Sequence, residues 1–161
     1  MKSIIIYYSL EGNTKYAAEL MAKILDSDLL ELTPEKPIKS LGFSKYIWGG
    51  KQVVMNEKPK LKPYIYNPDQ YDLTILASPI WASHFAPVFS TFLHDNKIRG
   101  KIALIGSNDG GGCTKAFNIL EEQLKGKNIE NKIIATLDLM TPLKDKVATN
   151  EKIIKFTKKL V

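Results

Sequence analysis

Apolar runs alternate with segments of helical period along most of this chain. Lys2 to Tyr8 is almost continuously apolar and predicts a first strand, and Thr14 to about Leu25 sets Ala17, Ala18, Met21, Ile24 and Leu25 at helical spacing. Asp28 to Leu32 predicts a short second strand and Leu73 to Ala77 a third. A helix over Pro87 to His94 follows, with Phe89, Phe92 and Leu93 on one side. Lys101 to Gly106 is then a fourth strand, Thr114 to Leu124 a helix, Ile133 to Leu137 a fifth strand, and about Asp145 to Leu160 a closing helix. The pattern is five βα units without an internal repeat. Runs such as Ile4-Ile5-Ile6 and Leu73-Thr74-Ile75-Leu76-Ala77 lack the alternation of a sheet with one wet face and suit a parallel sheet covered on both sides. Right-handed crossovers in this order give a doubly wound α/β domain, a three-layer sandwich around a five-stranded parallel sheet of order 2-1-3-4-5. Its winding reverses between strands one and three, so the loops after Tyr8 and Ala77 are expected to border one crevice.

The chemistry sits in those loops. Ser9-Leu10-Glu11-Gly12-Asn13-Thr14 joins the first strand to a helix N-terminus, where free backbone N–H groups and the helix dipole favour an anion. Ser9, Asn13 and Thr14 add short polar side chains; the competing reading is an ordinary strand-to-helix turn capped by Asn13 or Thr14. No Gly-Lys-Ser/Thr follows, which argues against a nucleoside triphosphatase, and a single glycine in the loop argues against a Gly-x-Gly-x-x-Gly dinucleotide site. A phosphate monoester fits better. A phospho-acceptor receiver domain would need aspartates where Tyr8-Ser9 and Ser78 stand. After strand three, Ser78-Pro79-Ile80-Trp81-Ala82-Ser83 offers one indole among small residues, able to stack on a flat ring or to serve as a core or rim residue. After strand four, Ser107-Asn108-Asp109-Gly110-Gly111-Gly112 lets backbone approach a ligand with no Cβ in the way.

The first loop resembles the phosphate loop of the flavodoxin family, Ser/Thr-x-Thr/Ser-Gly-Asn-Thr, which Ser9, Gly12, Asn13 and Thr14 match. Glu11 departs from it, replacing a hydroxyl by a carboxylate that is expected to face solvent. The resemblance extends in order over nearly the whole chain and implies a flavodoxin-like fold holding flavin mononucleotide (FMN). It places the phosphate on Ser9, Leu10, Glu11, Gly12, Asn13 and Thr14. The flavin ring falls to Ser78, Pro79, Ile80, Trp81, Ala82 and Ser83 on one side, and to Ser107, Asn108, Asp109, Gly110, Gly111 and Gly112 at its pyrimidine end. Trp81 would stack on the ring. Many members present a second aromatic from the loop after strand four, and three glycines stand there instead, which leaves one ring face open. The activity implied is low-potential electron transfer with a redox partner protein or small acceptor. An FMN-dependent NAD(P)H:quinone or small-acceptor oxidoreductase is the alternative. No catalytic residue and no metal site is assigned. His84 could pass a proton near the ring, and Cys113 is expected to be a small residue filling a helix start rather than a redox thiol.

Composition changes this picture in two places. The 161 residues, 44% hydrophobic, suffice for one well-buried domain, read as spanning 1–161. One cysteine excludes an internal disulfide, and no apolar run reaches the ~18 residues of a membrane span, so a cytoplasmic location is expected. The net charge of +6 is concentrated in a basic insertion at about 34–63, where Lys36 to Lys62 holds seven lysines and one acid. Flavodoxins that carry electrons are typically acidic, so this patch departs from the family habit. Phe43, Tyr46, Ile47 and Trp48 within it read as a crossover helix packed on the sheet, or as a lid over the open ring face. A flavin-free binding module whose Lys36 to Lys62 patch meets nucleic acid or an acidic protein is the reading from another class; for the chain as a whole, nucleic acid is not the partner expected.

Overall fold

The computed structural model describes residues 1–36, 58–125 and 132–160. The strands are β1 (Ser3–Tyr7), β2 (Asp28–Glu31), β3 (Leu73–Trp81), β4 (His84–Phe85), β5 (Lys101–Asn108) and β6 (Lys132–Met140). The helices are α1 (Asn13–Leu25), α2 (Val88–Asp95), α3 (Thr114–Lys125) and α4 (Lys146–Thr157). Five strands form one parallel sheet in the order β2-β1-β3-β5-β6, with β4 attached to β3 alone. Leaving out that two-residue appendage, this is the 2-1-3-4-5 order of a doubly wound domain.

The strand pleat divides the core. Ile5, Tyr7, Ile75, Ala77, Ala103 and Ile105 point to one face, where Ala17, Ala18 and Met21 of α1 and Ile153 and Phe156 of α4 cover them. Ile4, Ile6, Leu76, Ile102 and Leu104 point to the other and meet Val88, Phe89 and Phe92 of α2 and Ala116, Phe117 and Leu120 of α3. Both faces of β1, β3 and β5 are thus dry, which is why these strands read as continuous apolar runs.

Element limits differ from the sequence reading where polar residues continue a strand. β3 runs on through Trp81 and turns back antiparallel, pairing Ile80 with Phe85 and Trp81 with His84. The turn residues Ala82 and Ser83 both have positive φ, 48° and 66°. This is the geometry of a two-residue hairpin, reached without the glycine or asparagine that usually announces one. β5 and β6 extend to Asn108 and Met140, carrying Ser107 and Asp138 at their ends. The last helix stops at Thr157, and Lys158 to Leu160 follow as a turn. Of the basic insertion's lysines, Lys36, Lys58, Lys60 and Lys62 are described and exposed; residues 58–62 run beside 33–35, joined by Pro34–Leu61 bridging and a Lys60–Glu35 ion pair of 2.9 Å. The helix or lid expected around Phe43 to Trp48 lies outside the described residues. Among the described residues no helix is long and apolar enough to cross a membrane.

Candidate functional site

At the carboxyl ends of β1, β3 and β5 the loops enclose a cavity of about 340 Å³. The first loop supplies Ser9, Leu10, Glu11, Asn13 and Thr14 to its wall, the second Pro79, Ile80, Trp81, Ala82 and Ser83, and the third Ser107, Asn108, Asp109, Gly111 and Gly112. These are the three loops singled out in the sequence. Gly12, Ser78 and Gly110 are not among the wall residues, and Pro142, from the turn after β6, is an addition.

In the first loop Gly12 takes φ 87°, the left-handed conformation that L residues rarely adopt, and starts α1 without a side-chain cap. Its own N–H donates to Ser9 Oγ at 3.1 Å, and its carbonyl accepts the Tyr16 N–H at 2.9 Å. Neither Asn13 nor Thr14 caps the helix. Asn13 Oδ1 instead accepts the Leu143 N–H at 3.0 Å, tying the turn after β6 to the loop. The buried Thr14 hydroxyl pairs with that of Ser107 at 2.6 Å. Two hydroxyls carry two protons and their mutual bond uses one, so the pair keeps one to donate. The first N–H groups of α1 have no intrahelical acceptor, as at every helix start. Glu11 is exposed and also lines the cavity.

Ser78 lies under the second loop rather than in the wall. Its hydroxyl is fully buried, accepts the Ala86 N–H and donates to the Pro79 carbonyl, both at 2.9 Å. It therefore fastens the β3–β4 hairpin from below. Trp81 is half-buried on the wall and stands edge-on to Tyr8, with centroids 5.9 Å apart and planes at 89°. His84 donates from Nδ1 to the Ala82 carbonyl at 2.9 Å and faces a small adjacent cleft of about 30 Å³, not the main cavity.

The third loop is organised by Asn108, whose Oδ1 accepts the N–H groups of Gly110 (2.8 Å) and Gly112 (3.2 Å). A Cβ on Gly110 or Gly111 would meet nothing within 4 Å, so these glycines leave open space beside the cavity. The tight glycine is Gly106, where a Cβ would fall within 2.9 Å of Ile80 and closer still to Cys113. Cys113 fills that space. Burial first, then the Asp138 carboxylate, push its thiol up to about 12, which leaves it protonated and unsuited to redox chemistry at neutral pH.

The wall holds two carboxylates, Glu11 and Asp109, and, among the described residues, no lysine, arginine or histidine. The donors that the described residues offer an anion here are neutral N–H and hydroxyl groups. Burial and the nearby Glu31 charge raise the Tyr8 phenol behind Trp81, so it too stays neutral.

A doubly wound sheet whose switch-point crevice gathers an uncapped helix start, an indole and a glycine loop defines the class of protein. The chain belongs to the flavodoxin family: the family profile, described as Flavodoxin, matches residues 2–148. Among solved structures, the chain is similar to a Bacteroides eggerthii protein at 20% identity, over 96% of this chain and 97% of that one, with a TM-score of 0.73. A Lactobacillus acidophilus flavoprotein solved in complex with FMN aligns at 23% identity over 89% and 96%, with a TM-score of 0.70. Oxidised Flavodoxin 2 from Bacillus cereus aligns at 23% over 99% and 97%, with a TM-score of 0.59. At these identities the likeness is one of fold. No match to the chain was found among curated proteins.

Proposed function

We propose that this protein binds FMN non-covalently in the switch-point cavity and works as a low-potential electron carrier. The observation that carries this reading is the convergence of the uncapped α1 start, Trp81 and the glycine loop on one cavity of about 340 Å³. That volume falls in the ~300–1,000 Å³ range of small-molecule sites. The donor set fits a phosphate monoester: the helix start has no competing side-chain cap on its N–H groups, and the Thr14–Ser107 pair, with one hydroxyl proton to spare, lines the same cavity. Family membership and the FMN complex of the Lactobacillus acidophilus relative support the same ligand.

When bound, FMN supplies one- and two-electron redox chemistry, and the protein supplies position and potential. Ile80 to Ser83 would hold the ring edge and Trp81 would cover a face. Pro79, Ile80, Trp81 and Ala82 make the ring end of the wall largely apolar, so negative charge added to the ring on reduction is disfavoured by desolvation. The experiment is a potentiometric titration of the FMN-loaded protein. A couple for the fully reduced flavin below that of free FMN is expected; a couple at or above it contradicts the reading.

One observation favours a second activity. The open space at Gly110 and Gly111 leaves room beside the ring for a nicotinamide or quinone. Under the carrier reading NADPH alone bleaches the bound flavin slowly. Rapid bleaching without a partner protein would make this an FMN-dependent oxidoreductase.

A further inference from the structure

Asp138 stands on β6 outside the cavity wall, yet its carboxylate touches both ends of the third loop. Oδ1 accepts from Asn108 Nδ2 at 2.6 Å, and Oδ2 accepts the Cys113 N–H at 2.8 Å. With Nδ2 held there, the Asn108 carboxamide has its oxygen turned to the loop, where it accepts the Gly110 and Gly112 N–H groups. The other contacts of Nδ2, to Cys113 Sγ at 3.2 Å and the Leu139 carbonyl at 3.3 Å, are longer. The amides of Gly110, Gly112 and Cys113 are thereby all turned inward, and Gly110 and Gly112 keep positive φ values of 122° and 73°.

We propose that Asp138 is the positioning residue of the third loop, setting through Asn108 the backbone conformation that forms one wall of the flavin cavity. The consequence for flavin rests on the FMN reading above; the positioning itself does not. A carboxylate suits the place because both of its oxygens accept, and two donors converge on it. A carboxamide offers one acceptor and sets its NH2 against either the Cys113 N–H or Asn108 Nδ2. The second conflict is relieved only if Asn108 turns over, which would aim its NH2 at the Gly110 and Gly112 amides. The polarity of one side chain on β6 is thus transmitted to two backbone amides beside the cavity.

The test compares wild type with Asp138→Asn, which keeps the shape and removes one acceptor, and Asp138→Glu, which keeps both. Asp138 is exposed, so the longer side chain has room. In the apoprotein, hydrogen exchange at Gly110 and Gly112 is expected to quicken about tenfold or more in Asp138→Asn, the effect of losing one charge-assisted hydrogen bond, with β5 core amides unchanged. Asp138→Glu restores slow exchange. With flavin, Asp138→Asn is expected to weaken FMN and riboflavin by the same factor, roughly tenfold, leaving their ratio unchanged because the phosphate end is untouched. Wild-type exchange in Asp138→Asn, or faster exchange in β5 as well, overturns the positioning role. A loosened loop with unchanged affinities overturns its link to the ligand. Failure of wild type to bind any flavin would count against the FMN reading, while the exchange result still decides the role of Asp138.

Discussion

Single side chains at this site are mostly occupied in holding backbone. Ser78 fastens a hairpin, Asn108 folds the glycine loop and Thr14 ties α1 to β5 through Ser107. Cys113 shows the same economy, since its sulfur occupies the space that Gly106 leaves. Its raised thiol has a stability consequence. A group whose folded pKa exceeds its unfolded value contributes stability that is complete below the unfolded value and is lost as pH climbs toward the folded one. For Cys113 that window runs from about 9 to about 12. The urea midpoint should therefore fall between pH 9 and 11, with a limiting slope of about 1.4 kcal/mol per pH unit from this group. The Cys113→Ala variant should show a shallower fall; equal slopes for the two proteins would contradict the assignment. The residue roles were only partly legible in sequence. Asn108 and Ser78 stood out as loop residues, but which way a carboxamide or hydroxyl turns depends on β6 and on Ala86, far along the chain.

Among the elements, the buried strands and α1 were the easiest to read, because both faces of the sheet are covered and α1 carries one apolar stripe. The β3–β4 hairpin was not, since Ala82 and Ser83 give no turn signal while adopting positive φ. The sequence reading ends the fifth strand at Leu137 because the polar Asp138 follows, and so does not anticipate the turn that brings Pro142 to the cavity and Leu143 to Asn13. The hairpin turn carries a testable strain. Left-handed backbone costs an L residue about 1–2 kcal/mol, against the roughly 0.5–1 kcal/mol that glycine loses through unfolded-state entropy. Ala82→Gly is therefore expected to raise stability by about 0.5–1 kcal/mol in chemical denaturation. A loss of similar size would show that the turn is relaxed as it stands.

At the scale of the molecule, topology does what no single motif could. The order β2-β1-β3-β5-β6 puts the winding reversal between β1 and β3, so loops distant in sequence share one crevice. That order followed from the alternation of apolar runs and helical segments, and with it the position of the cavity. The electrostatics of the cavity also belong to this scale. The net charge of +6 lies largely in the lysines of 36–62, while the described cavity wall carries two acids and no base. Under the proposed reading, the described residues offer an anion at the α1 start backbone and hydroxyl donors. The most direct test is fluorescence titration of FMN with the purified apoprotein, with riboflavin, which lacks the phosphate, as the control. Strong quenching of FMN with much weaker binding of riboflavin is the result predicted. Equal affinity for the two would contradict the phosphate site at Ser9 to Thr14, and binding of neither would contradict the flavin account altogether.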